Sequence, residues 1–248
     1  MINKLLPSNT SPEKFARDIA ITPKKILSGN SKLRKDKIFN ITLPAYNGYY
    51  LLNGKLTKQI TCPSASACLS VCYAGLGGTY GFSASMIKHS RNLNYMLNNP
   101  FEFANQLVSE ISKIKNLRAI RWNDSGDFFS EGYWGVAKEV MKALPHVNFY
   151  AYTKMVQFFK SRTDIPSNFT LIYSYGGKHD PLINPEDRHA RIFSSRATLR
   201  KAGYSDGTHT DRLAANPKFT RIGLVVHGNW LAMHKLRKRA KTMEASHA

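Results

Sequence analysis

Hydrophobic and polar positions change rhythm several times along the 248-residue chain, and each change predicts an element. Ser11-Pro12 starts a short helix, with Ser as cap and Pro in the first turn. Residues 22–37 are a basic, turn-rich lead-in, and "IFNITLPA" (38–45) is a strand ending at Pro44. Residues 46–60, "YNGYYLLNGKLTKQI", alternate as a hairpin does, with Asn-Gly turn signals at 47–48 and 53–54. Residues 83–98 are helical. A second helix opens at Asn99-Pro100 and carries Phe103, Leu107, Ile111 and Ile114 at helical spacing. Strands then alternate with helices. The strands are 117–122, 147–152, 169–175 and 220–226, and the helices are 130–143, 155–161, 194–202 and a basic one at 230–241.

Alternation of this kind implies parallel strands joined by helical crossovers. Polar residues gather just after the strands, where (βα) barrels place their chemistry. The predicted class is therefore α/β, a partial or closed (βα) barrel; a doubly wound sheet is the alternative. Residues 1–60 would be an arm and hairpin packed on the barrel, 61–230 the barrel, and 231–248 a basic helix and tail.

Charge adds a partner to this picture. Thirty-six Lys and Arg against sixteen Asp and Glu leave a net charge of +20, which gathers polyanions, nucleic acid above all. Lys32, Arg34 and Lys35 form one basic cluster, and Lys235, Arg237, Lys238 and Arg239 another. Tyr46, Tyr49 and Tyr50 are available either to stack on unpaired bases or to pack the hairpin. No apolar run approaches the roughly 20 residues of a membrane span, and the first residues have no apolar signal core. A cytoplasmic protein is expected.

All three cysteines fall inside "TCPSASACLSVCYA" (61–74), five residues separating Cys62 from Cys68 and three separating Cys68 from Cys72. In a reducing compartment three thiols in one loop suit metal better than disulfides. They can take three corners of a [4Fe–4S] cluster and leave one iron open. Zinc needs a fourth ligand, for which His89 is a candidate. Ordinary buried thiols are the plain alternative.

Other strand ends carry polar groups. "NDSGDFF" (123–129) places Asp124 and Asp127 around a glycine turn, able to bind a cation, act as base or nucleophile, or simply shape the turn. Lys154 ends "YAYTK" and suits phosphate or carboxylate, and His179 and His227 are candidate proton carriers.

Together "GNSKL" (29–33), "LPA" (43–45), "CPSASACLSVCYA" (62–74), "IRWNDSGDFFS" (120–130), "FYAYTK" (149–154) and "IGLVVHG" (222–228) resemble the phage gene-product-eighty-eight family. That family is in turn similar to radical S-adenosylmethionine (SAM) enzymes. The resemblance implies a three-cysteine loop after the first strand of a (βα) barrel, a [4Fe–4S] cluster, SAM, and the host cytoplasm. It assigns Ser125, Gly126 and Asp127 to the methionine amino group of SAM, Ser174 to its ribose, and Tyr73 to the same cofactor. A nucleic-acid base or nucleotide is the expected substrate. Two features depart from the usual radical SAM pattern, which has three then two residues between cysteines and Gly-Gly-Glu rather than Ser-Gly-Asp. "DSGDFF" also resembles a strand end of the tRNA-guanine transglycosylases, zinc-containing barrels that exchange a base through an Asp. Their cysteines come late in the chain, and here they come early. A non-enzymatic nucleic-acid-binding barrel with a structural metal is the third possibility.

Overall fold

The computed structural model describes residues 6–7, 10–74, 78–226 and 230–245, without the side chains of 31, 32, 78, 79 and 230–235. In chain order the elements are α1 (Pro12–Ala20), α2 (Ser31–Lys35), β1 (Ile38–Asn40), β2 (Asn47–Leu52), β3 (Lys55–Ile60), α3 (Ser83–Asn98), α4 (Pro100–Ser112), β4 (Ala119–Trp122), α5 (Glu131–Ala143), β5 (Phe149–Thr153), α6 (Val156–Lys160), β6 (Phe169–Ser174), β7 (His189–Phe193), α7 (Arg196–Lys201), β8 (Ser205–Asp206), β9 (Arg221–Val225) and α8 (Trp230–Ala245).

Seven strands form one parallel sheet in the order β1-β4-β5-β6-β7-β9-β8, curled into a half-barrel whose edges are β1 and β8. The expected partial barrel is thus present, and the closed and doubly wound forms are not. The sheet also begins earlier than expected. Ile38–Asn40 pairs with Ala119–Arg121, so the first strand precedes residue 61, and the β2–β3 hairpin and the cysteine segment are inserted between β1 and β4.

Alternation along the strands assigns two faces. Ile120, Trp122, Phe149 and Ala151 turn to the helices, where they meet Phe103, Leu107, Trp134, Val140 and Phe159. Ala119, Tyr150, Ile172, Ala190 and Ile222 line the inner face, which is filled by Leu33 and Ala214. A parallel sheet needs cover on both faces, and the inner cover here is the segment after β8. Arg188 holds that segment by donating to the carbonyls of Leu213, Ala214, Asn216 and Phe219 at 2.7–2.8 Å.

Local signals explain most elements. Ser11, Ser130 and Ser195 cap α1, α5 and α7 by accepting from the N–H three residues on. The hairpin turns at Asn53-Gly54, both left-handed (φ 49° and 76°). The other Asn-Gly pair is not a turn. Gly48 lies within β2, where an added Cβ would sit 2.5 Å from Pro44 Cγ, so the glycine serves close approach. Strand β7 was not expected, since "HARIF" carries His and Arg at positions that an apolar pattern would fill.

Phe128 sits where the helices meet β4. Its ring lies within 5.3–6.5 Å of those of Trp122, Trp134, Phe159 and Phe169, and it is fully buried. Phe128→Ala is predicted to cost about 3–5 kcal/mol, read as a fall in the urea midpoint with little change in slope.

Candidate functional site

The cysteine loop lies across the carboxyl ends of neighbouring strands. It begins at Thr61, whose carbonyl accepts the Asp127 N–H at 2.7 Å, beyond β4. It continues to Ala65, which bridges to Gly177 beyond β6, while Ser66 and Cys68 N–H groups donate to the Gly176 carbonyl at 3.2 and 3.0 Å. Gly176 has φ 102°, and a Cβ there would meet Met243, Cys68 Cβ and Cys68 N at 2.9–3.1 Å, so only glycine lets the two loops touch. Cys68 lies within a single 3-10 turn, Ala67–Val71, and Cys72 directly after it; all three cysteines are half-buried and none forms a disulfide. Burial, followed by the nearby Asp127 carboxylate, pushes the Cys62 thiol up to about 12.

Asp127, expected as a cofactor ligand or nucleophile, has its carboxylate committed. Oδ1 accepts from the Thr153 hydroxyl at 2.6 Å and the Phe128 N–H at 2.8 Å, and Oδ2 accepts from the Lys154 N–H at 2.8 Å. Burial pushes its pKa up and these donors pull it back. Lys154 is committed in the same way. Its Nζ donates to Ser174 Oγ at 2.8 Å and to the Ser174 and Tyr175 carbonyls at 3.1 Å each. Three donors meet three acceptors, and the lysine ties β5 to β6. Ser125 donates to the Leu43 carbonyl, and Gly126 (φ 81°) presses so close to Leu43 that a Cβ would lie 2.9 Å from its Cβ.

Asp124 belongs to a second group that the sequence did not reveal. Its Oδ2 accepts from Asn40 Nδ2 at 3.0 Å and from the Tyr80 hydroxyl, and its Oδ1 lies 3.5 Å from Arg121 Nη1. Tyr73, directly after Cys72, donates its hydroxyl to the Asp124 carbonyl. Arg121 also pairs with Asp211 at 2.9 Å, and Asp211 accepts from Tyr150 at 2.8 Å. Burial works against the Arg121 charge, but Asp211 and Asp124 outweigh it and hold the guanidinium cationic. Tyr80, Asn40 and Asp211 went unnoticed because the partners that give them a role lie 44 to 90 residues away, and Arg121, though inside a quoted block, gains its role only with Asp211, 90 residues on.

Other expected residues fall elsewhere. His89 packs 5.4 Å from the Tyr80 ring, and burial and then Lys88 lower its pKa to about 4, leaving a neutral imidazole. His179 is half-buried on the β6–β7 loop, and its Nδ1 finds no hydrogen-bond partner among the described residues. His227 and the side chains of Lys32 and Lys235 lie outside the described residues. Arg34 and Lys35 are exposed on α2, ahead of β1 and so at the opposite end of the sheet from the cysteines. Arg237, Lys238 and Arg239 are exposed on α8, which packs Leu236, Ala240 and Met243 against Val71 of the cysteine loop. Tyr49 stacks edge-on with Phe15 and Tyr50 joins the core, so these hairpin tyrosines pack rather than face a ligand. No three His, Cys, Asp or Glu side chains among the described residues are gathered as a site for one metal ion. No described helix is long and apolar enough to cross a membrane.

The gene product 88 family matches residues 24–243, the whole sheet and every helix but α1 and the last residues of α8, and the chain belongs to that family. No curated protein and no solved structure matches it.

Two predictions follow the loop's anchors. In metal-free protein, Asp124→Asn and Tyr80→Phe should each speed alkylation of Cys72 about tenfold, the effect of losing one charge-assisted hydrogen bond, while moving the urea midpoint less than Phe128→Ala does. Mass-spectrometric peptide mapping reads this. Cys62, whose thiolate is scarce below its raised pKa, should label slowly at pH 8 and gain about tenfold per pH unit until near 12.

Proposed function

We propose that this member of the gene product 88 family is an iron–sulfur enzyme of the radical-SAM-like kind, modifying a nucleic-acid base or nucleotide. Cys62, Cys68 and Cys72 would hold a [4Fe–4S] cluster, and SAM would be its co-substrate. What carries this reading is the seating of a three-thiol loop over the strand ends of an open parallel half-barrel, hydrogen-bonded to the loops after β4 and β6.

Three sulfurs on one loop are the kind of donor such a group takes. The thiols are half-buried on one loop, Cys68 within its single helical turn and Cys72 directly after it. A single zinc would need a fourth ligand beside the three sulfurs, and His89, the candidate for it, packs against the Tyr80 ring. A [4Fe–4S] cluster takes three thiolates from one loop and leaves one iron open. When bound, the cluster and SAM supply reductive radical chemistry that no side chain can provide.

The chain's own groups have definable work. Asp127 and Lys154 are positioning residues, because their polar atoms are spent on fixing three strand ends beneath the thiols. Asp124 and Tyr80 pin the segment just after Cys72. The raised Cys62 thiol gives up its proton when metal binds, so loading releases acid and strengthens as pH rises.

Anaerobic reconstitution with iron and sulfide tests this. The expected product is brown, holds about four irons per chain, and loses them on Cys62→Ala, Cys68→Ala or Cys72→Ala. A colourless chain that takes up one zinc would refute it and favour the transglycosylase-like or structural-metal alternative.

A further inference from the structure

The basic C-terminal helix and the cysteine loop are far apart in sequence and touch in the fold. Leu236, Ala240 and Met243 recur at helical spacing and bury α8 against Val71. Arg239 donates to the Ser70 carbonyl at 2.9 Å, inside the cysteine loop. The opposite stripe of α8 leaves Arg237, Lys238 and Lys241 facing solvent. On the other flank of the loop, exposed Lys178 donates to the Pro63 carbonyl at 2.7 Å. The acids nearest this rim are turned inward. Glu244 accepts from Ser194 and Thr198, Asp180 accepts from the Gly176 and Gly177 N–H groups, and Asp127 is buried. The thiols therefore sit within a rim of cations.

An aromatic lies inside that rim. Tyr73 follows Cys72; its hydroxyl is tied to Asp124 and its ring meets Tyr80 edge-on at 5.5 Å, while the residue as a whole is 45% exposed. Phe82, at the start of α3, is 64% exposed. Cations for phosphates beside exposed aromatic residues for bases are the features that grip an unpaired strand. A base inside a duplex is shielded from a reactive group, so a strand passing the thiols has to present it unstacked.

We infer that the outer face of α8 and the Tyr73 ring form a docking surface for single-stranded nucleic acid, which leads the strand over the cysteine loop. The inference rests on the proposed chemistry only for the fate of the bound strand. Binding is measured without iron, so a chain that never takes up a cluster still tests the surface.

The experiment is fluorescence anisotropy of the full chain with labelled single-stranded DNA and RNA oligonucleotides and the matching duplex, over a series of salt concentrations. Reversing Arg237, Lys238 and Lys241 to Glu should weaken strand binding at least tenfold and flatten the log–log salt slope by about 2, from about 0.7 per phosphate contact. Reversing Lys113, Lys115 and Lys142, exposed at the far ends of α4 and α5, carries the same charge change and should have a much smaller effect. Tyr73→Ala should lose about fivefold or more, and Tyr73→Phe, which keeps the ring, should bind as the unaltered chain does. Circular dichroism confirms that each variant is folded. Unchanged binding by the α8 variant, an equal loss from the control variant, or tighter binding of the duplex than of the strand would overturn the inference.

Discussion

A single buried carboxylate organises the candidate site. Asp127 is 5% exposed, yet its oxygens accept three hydrogen bonds and its own N–H reaches Thr61. Ionised and unpaired, such a group would be untenable in the core; with three donors its burial is compensated. Through it the loop after β4 grips the end of β5 and the first residue of the cysteine loop together. Lys154 extends the grip to β6, and Gly176 and Gly177 carry it back to the cysteines. Removing the carboxylate would leave several buried donors without an acceptor, so Asp127 is a structural precondition of any chemistry above it.

The distribution of charge follows the same logic. Asp36, Asp127 and Asp211 are buried, and Asp124 nearly so, each bound to Arg, Asn, Thr, Tyr or backbone donors. A chain with only 16 acids thus spends several of them internally, and its solvent face is more one-sidedly basic than the net charge of +20 conveys. Arg121 is the counterpart, a cation kept inside by Asp211 and Asp124. Buried acids hold the scaffold, and the exposed surface is left strongly basic.

Much of the scaffold was legible in the sequence because local signals set it. Pro100 opens α4, Ser130 caps α5, and Asn53-Gly54 turns the hairpin, each for reasons contained in a few residues. The order of strands and helices carried the half-barrel. Strand β7 was hidden, since its His189 and Arg191 are accommodated by Tyr204, Tyr175 and Glu244, partners that no local pattern announces. The candidate site was half legible. Cysteine spacing and the Ser-Gly-Asp turn marked its two main loops, and the strand alternation marked Lys154. That Asp127 and Lys154 are consumed by structure, that Tyr80 and Asn40 hold Asp124, and that α8 lies against the cysteine loop all depend on contacts across many tens of residues.

The proposed cluster would sit on the loop held by Asp127, with one iron open to SAM. Electron paramagnetic resonance of the anaerobically loaded and reduced chain, recorded with and without SAM, tests this most directly. The expected result is a reduced-cluster signal whose shape changes when SAM is added. A chain that contains stoichiometric zinc and gives no signal, or a cluster signal indifferent to SAM, would contradict it.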